Sequence, residues 1–224
     1  MKNALAGRPR TTRTAARNDC RGWFGRAGSL VALAMALGGC AFGTREATLR
    51  YPPVAEPTSG TAQAATTQLP SANRGEIALA PFADARSDKS RVGSVRNGFG
   101  MQTASVVTKD DIAAWVTTAL RTELTNAGYR VVDGASGTAS GLLLTGDLTH
   151  LWCDSYFNYN GEVALDVRLR AAGQMLMNKK IEGNGSAGTN WAATAEAYGQ
   201  TLALSLADAL KKLVAEIDKV AAGR

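Results

Sequence analysis

The sequence predicts an α+β fold: a single two-layer domain, with a mixed, mostly antiparallel sheet and two long helices packed on one face. Three observations predict it. Residues 112–127 and 193–220 repeat apolar side chains at three- and four-residue spacing, the period of an amphipathic helix. Residues 142–171 instead alternate apolar and polar side chains at period two, the pattern of strands with one buried face. Apolar runs of strand length flank the first helical segment, and a right-handed crossover would lay those two strands parallel in one sheet.

Taken in order, residues 1–39 have the layout of a cleaved lipoprotein signal peptide. Arg8, Arg10, Arg13, Arg17, Arg21 and Arg26 precede a short apolar run that ends in Leu37-Gly38-Gly39-Cys40. That run is about ten residues, whereas a helix crossing the hydrocarbon layer needs roughly 20. Small residues before a cysteine, with Leu37 ahead of them, fit a lipobox, so Cys40 is the expected lipidation site, acylated with diacylglycerol and palmitate-type chains. Ala41 stands where inner-membrane retention calls for aspartate, and lipoproteins of this kind are expected at the outer membrane, facing the periplasm.

Removing this leader changes the charge argument. The chain carries 25 Lys and Arg against 19 Asp and Glu, but residues 1–39 hold seven of those bases and one of those acids. The mature chain keeps 18 of each, so no basic stripe remains to neutralise phosphates and no nucleic-acid partner is expected. Cys153 is the single cysteine left besides Cys40, and it reads as a small core residue.

Residues 40–74 read as a lipidated N-terminus with a short edge strand near Thr48–Tyr51, ended by Pro52-Pro53 and followed by a Pro/Ala/Thr-rich linker or loop. Residues 75–224 form the α+β domain. It opens with a strand at Glu76–Phe82, followed by a long loop at Ala83–Val107. Thr108 is the expected cap of the first helix, with Asp110 and Asp111 at the positive end of its dipole. Gly128 suits the left-handed position that ends the helix, and Tyr129–Asp133 resumes as a strand.

Leu142, Leu144, Leu148, His150 and Trp152 alternate along the next strand. Val163, Leu165, Val167, Leu169 and Ala171 alternate along its partner, opposed by Glu162, Asp166, Arg168 and Arg170. After an Ala172-Gly173 turn, Met175, Met177 and Ile181 continue on a third strand. The last helix carries a stripe of Tyr198, Leu202, Leu206, Leu210, Leu213, Ile217 and Val220.

The chemical inventory is thin. His150 is the single histidine, in phase with an apolar face, and there is no HExxH motif, Cys/His cluster or Gly-x-Ser-x-Gly elbow, so no metal and no cofactor are expected. Gly183-Asn-Gly185-Ser-Ala-Gly188 matches G-x-G-x-x-G, but the following helix is the last element, and a dinucleotide site needs a further strand ending in an acid. The segment reads instead as a flexible connection. Two places stand out for partner binding. The loop Asp84–Gly93 carries Asp84, Arg86, Asp88 and Arg91 in alternating sign. The hairpin end Trp152–Asn160 gathers Trp152, Tyr156, Phe157 and Tyr159.

The lipobox cysteine followed by Thr48-Leu49-Arg-Tyr-Pro52, and Ile77–Phe82 with Asp84-Ala-Arg86-Ser-Asp88, resemble the YajG family of bacterial lipoproteins. Asn126-Ala-Gly128-Tyr129-Arg-Val-Val132, and Asn158-Tyr159-Asn160 leading into Val163–Leu169, carry the same resemblance through the rest of the mature chain. It implies an outer-membrane-anchored α+β domain and a real strand at Thr48–Tyr51. It brings no activity and no catalytic residues. The expectation from sequence is therefore a non-enzymatic binding or scaffolding lipoprotein with a protein or envelope partner. The alternatives are an accessory subunit of an envelope synthase or transporter, or a carboxylate enzyme using Asp84, Asp88 or Asp147.

Overall fold

A computed structural model describes residues 43–51, 74–134, 141–189 and 194–223. Residues 1–39, read from the sequence as a signal peptide, Cys40 and the Pro/Ala/Thr-rich stretch within 52–73 lie outside them. One strand organises the rest. β7 (Leu142–Ser155) pairs along one edge, in succession, with three short parallel strands: β2 (Glu76–Leu79), β3 (Ala83–Asp84) and β4 (Gly93–Arg96). Its other edge pairs antiparallel with β8 (Asn158–Ala171) over nearly its full length, and β8 pairs antiparallel with β9 (Gln174–Thr189). β5 (Gln102–Val107) joins β4 antiparallel, and β1 (Gly43–Glu46) closes that edge parallel to β5. β6 (Arg130–Asp133) lies parallel to β2, as the strand–helix–strand reading requires.

The helices are α1 (Ile112–Asn126) and α2 (Ala195–Ala222). α1 packs on α2 and β6, while α2 lies across β8 and β9. The expected stripes are buried, from Trp115, Leu120 and Leu124 on α1 to Tyr198, Leu202, Leu206 and Leu213 on α2. They share one core with Val163, Leu165, Val167 and Leu169, all at most 2 % exposed. Val220 is half-buried at the end of the stripe.

α1 starts later than its capping signal suggested. Asp111 is the cap, its carboxylate accepting the Ala114 amide at 3.0 Å. Thr108 instead turns the preceding loop by accepting the Asp110 amide, and the Asp110 carboxylate accepts the Leu49 amide at 2.6 Å. At the other end Gly128, with φ of 92°, carries the left-handed turn. Its amide reaches the Thr125 carbonyl and that of Tyr129 reaches Leu124, a Schellman closure.

Three expectations about the strands need correction. The edge strand is Gly43–Glu46, not Thr48–Tyr51. Beyond it the chain leaves the sheet to strap the helices: Ala47 and Leu49 are buried, and Tyr51 Oη donates to Glu123 Oε1 at 2.6 Å. The long loop at Ala83–Val107 contains β3, β4 and β5, strands held by partners rather than by a strong pattern of their own.

The Gly-rich connection at 183–188 is strand, part of β9. A Cβ on Gly183 would fall 2.2 Å from the Ser205 carbonyl oxygen, and one on Gly185 2.5 Å from the Ser205 nitrogen. These glycines let the α2 backbone lie against the sheet.

Bulges decide which way two side chains face, and one of them, His150, differs from the sequence expectation. Leu148 faces Leu165 but His150 faces Ala164, so Thr149 is an extra residue and the in–out phase of β7 flips there. Leu151 and Cys153 point inward in consequence, and His150 is exposed, 3.4 Å from the Glu162 carboxylate, rather than on the apolar face. A second bulge, between Leu169 and Arg170, sends Met175 outward while Met177 and Ile181 stay buried.

The core assignment is open to measurement. Leu165→Ala and Leu206→Ala each remove a fully buried side chain and are expected to cost about 2–5 kcal/mol in denaturant unfolding. Gly199→Ala would press a Cβ to 2.1 Å from the Thr48 carbonyl oxygen, lifting the strap off α2 at a cost of about 1–3 kcal/mol. Three variants unfolding with the wild type would overturn this packing.

Candidate functional site

The charged loop after β3 is built around Arg86, whose residue is only 6 % exposed. Its Nε and Nη2 both donate to the Asp84 carboxylate at 2.9 Å, and its Nη1 donates to the Arg91 carbonyl at 2.9 Å. The guanidinium thus ties the two ends of the loop together from inside. Burial pushes the Asp84 carboxyl up, but the Arg86 hydrogen bonds outweigh it and hold the group below its ordinary value. Neither residue is free to receive a partner.

The outer half of the loop differs. The Asp88 carboxylate accepts the hydroxyl and amide of Ser90 and the Nε of Arg91, the last at 2.7 Å. The Ser90 hydroxyl leads the interactions that pull the Asp88 carboxyl down to about 2. Arg91, held by Asp88, lays its guanidinium over the Trp152 ring, 5.9 Å from the centroid. The structure therefore brings the two sequence-predicted regions together, with Asp88, Arg91 and half-buried Trp152 forming one rim.

The remaining aromatics divide. Tyr159 is core: 2 % exposed, edge-on to Tyr198 at 5.1 Å, its hydroxyl accepting the Thr194 amide. Its place among the exposed candidates is corrected by the register of β7 and β8, which aligns it with inward-facing Ser155. Tyr156 and Phe157 do lie at the hairpin turn, their ring centroids 4.1 Å apart. Sequence reasoning missed their neighbours Phe99 and Met101, on the turn between β4 and β5. The available signal was Asn97-Gly98, a turn dipeptide inside a stretch read as loop.

The acids considered for catalysis are occupied. Asp84 is held by Arg86, Asp88 by Arg91, and Asp147 by Arg168. Cys153 is fully buried, and burial pushes its thiol up to about 12, away from nucleophilic use. Among the described residues no group of three or more His, Cys, Asp or Glu side chains is arranged to hold a metal ion. Among them, too, no helix is long and apolar enough to cross a membrane.

A family model described as "Uncharacterized lipoprotein" matches residues 62–219. The chain belongs to this lipoprotein family. The match bears out the YajG-type resemblance and gives the protein a membrane-associated place in the envelope. No curated protein matches the chain. Solved structures similar to it include protein XCC0632 from Xanthomonas campestris, at 12% identity and TM-score 0.49, covering 79% of this chain and 98% of that one. Hypothetical protein CT253 from Chlamydia trachomatis is similar at 11% identity and TM-score 0.47, covering 68% and 100%. Lipoprotein GNA1162 from Neisseria meningitidis is similar at 13% identity and TM-score 0.29, covering 66% and 99%.

The Arg86 clamp gives a test of the loop. Arg86→Ala leaves the Asp84 carboxylate without its partner and is expected to cost about 1–3 kcal/mol, with Arg86→Lys recovering little because lysine cannot form the two-pronged contact. Because the folded state holds Asp84 below the ordinary carboxylate value, its contribution is full above pH about 4 and is lost as pH falls through the lowered folded pKa. Urea melts across that range should show a shallower acid limb in Arg86→Ala than in wild type. Parallel limbs would remove Arg86 from this role.

Proposed function

We propose that the protein is a non-enzymatic binding module, anchored in the outer membrane through acylated Cys40, with its domain facing the periplasm. The lipobox and the lipoprotein family support the anchor. The observation that carries the binding reading is the pairing of each candidate acid with an arginine: Asp84 with Arg86, Asp88 with Arg91 and Asp147 with Arg168. A general acid or base needs a carboxyl free to exchange its proton at the reacting atoms. These serve instead to hold side chains in place, and Asp88 holds Arg91 over Trp152. A planar cation stacked on an indole at a half-exposed rim is the residue pair that interfaces favour as anchors. The working surface is this rim.

Two measurements test the reading. Cys40→Ser should abolish lipid labelling and release the protein from the outer-membrane fraction; a labelled variant, or wild type sedimenting with the inner membrane, would sink the anchor. A photocrosslinking residue placed at Trp152 in growing cells should give a discrete adduct. Arg91→Ala should reduce its yield strongly, since loss of an interface anchor often costs about 2 kcal/mol or more. Asp147→Asn should leave it intact. The opposite pattern, with an envelope phenotype lost on Asp147→Asn in a folded protein and unaffected by Arg91→Ala, would favour an enzyme.

A further inference from the structure

The described residues expose four large apolar side chains, and three of them share one end of the sheet. Phe99, Met101 and Phe157 are 89 %, 60 % and 65 % exposed. The parallel register sets Val95 beside Ser155, so the β4–β5 turn and the β7–β8 turn leave the sheet in the same direction. Tyr156 Oη donates to the Gly98 carbonyl at 2.9 Å and ties the two turns together. The first turn is also braced from within: Asn97 Oδ1 accepts the amides of both Phe99 and Met101 at 3.0 Å. Neighbouring Arg96 is spent on the Asp154 carboxylate and the Gly100 carbonyl. Residues 97–102 and 156–157 contain no charged side chain. The fourth exposed apolar residue, Met175, lies beside the β8–β9 turn at the other end of β8, about 43 Å away at the usual strand rise.

The chain reaches the domain at this same end. Gly43, the first residue of β1, pairs with Ala104, three residues after Met101. Cys40 precedes Gly43 by three residues, a reach of no more than about 11 Å. Ala41 and Phe42 between them are uncharged.

We propose that the Phe99–Met101–Phe157 tip is a bilayer-contact surface, entering the boundary between headgroups and acyl chains in the leaflet that holds the Cys40 lipid. The inference rests on acylation of Cys40. A tether this short keeps the bilayer within reach of the tip, and uncharged aromatic and thioether side chains on a braced turn partition into that boundary. Tyr156 has the amphipathic ring suited to its edge. The anchor supplies attachment; the tip fixes which way the domain points.

The test uses the full chain, processed and lipidated, reconstituted in phosphatidylethanolamine/phosphatidylglycerol vesicles. An environment-sensitive fluorophore is attached at Phe99→Cys or at Met175→Cys; Cys153 is buried and Cys40 acylated, so the introduced thiol takes the label. Nitroxide lipids carry the quencher either in the upper acyl chain or on the headgroup. The label at 99 should be quenched by the acyl-chain nitroxide about threefold or more over the label at 175. Adding Met101→Asp and Phe157→Asp should reduce that ratio to near one while the protein still floats with the vesicles. Equal quenching at 99 and 175, or quenching at 99 by the headgroup nitroxide alone, in floating protein overturns the tip proposal and leaves the anchor standing. Self-quenching between labels at 99 without lipid quenching overturns it in favour of a second copy of the chain. Wild-type protein that does not float overturns the anchor, and the tip proposal with it.

Discussion

The structure depends on β7 serving two different neighbours at once. On one side it meets a single long antiparallel partner, β8, and on the other three short parallel strands end to end. Every strand in the sheet's interior must satisfy backbone donors and acceptors on both edges. The β7 edge can be completed by β2, β3 and β4 only if the chain between them loops out and returns in register. Those excursions are the Arg86 loop and the segments beside it. The loop that carries the candidate rim is thus a consequence of how one strand's ladder is filled, and Arg86 stabilises it by donating to both of its ends.

The bulge at Thr149 makes β7 usable along its whole length. With strict alternation, Leu151 and Cys153 would face solvent and Trp152 would face α2. The extra residue reverses this, so one strand feeds the core from even positions before the bulge and odd positions after it. It also turns Trp152 outward, toward Arg91. On the far side of the sheet the glycines of β9 do related work. Without side chains at 183 and 185, the α2 backbone comes within contact of the strand, and the helix stripe reaches β8.

What was legible in the sequence follows from where the information lay. α1, α2, β8 and the parallel pairing of β2 with β6 rest on patterns long enough to stand alone, such as Val163 to Ala171 at period two. β3, β4 and β5 are two to six residues long and exist because β7 lies beside β3 and β4, and β4 in turn beside β5, so their own residues say little. His150 was misplaced because periodicity carries no mark of an inserted residue. Tyr159 was misplaced because a hairpin's register decides which of its aromatics face in. For the rim, residue type suggested the right neighbourhood, but it could not show that Arg86 and Asp84 neutralise each other in the interior while Arg91 and Trp152 stay at the surface.

Anchor, tip and rim can be related through strand spacing alone. Trp152 lies four residues before Tyr156 on β7, about 13 Å from the tip at the usual rise. On the proposal that the tip sits at the boundary of headgroups and acyl chains, the Arg91–Trp152 rim would stand near the outer edge of the headgroup layer, and the β8–β9 turn would lie some 40 Å from the tip along the strand. A rim at that height would favour partners that are themselves confined to the membrane surface. Confinement raises the effective concentration of such partners without any new contact, in the way that linking two binding modules does. A single cation–aromatic pair gives modest affinity in free solution. Held beside the bilayer, it would suffice for the proposed binding module.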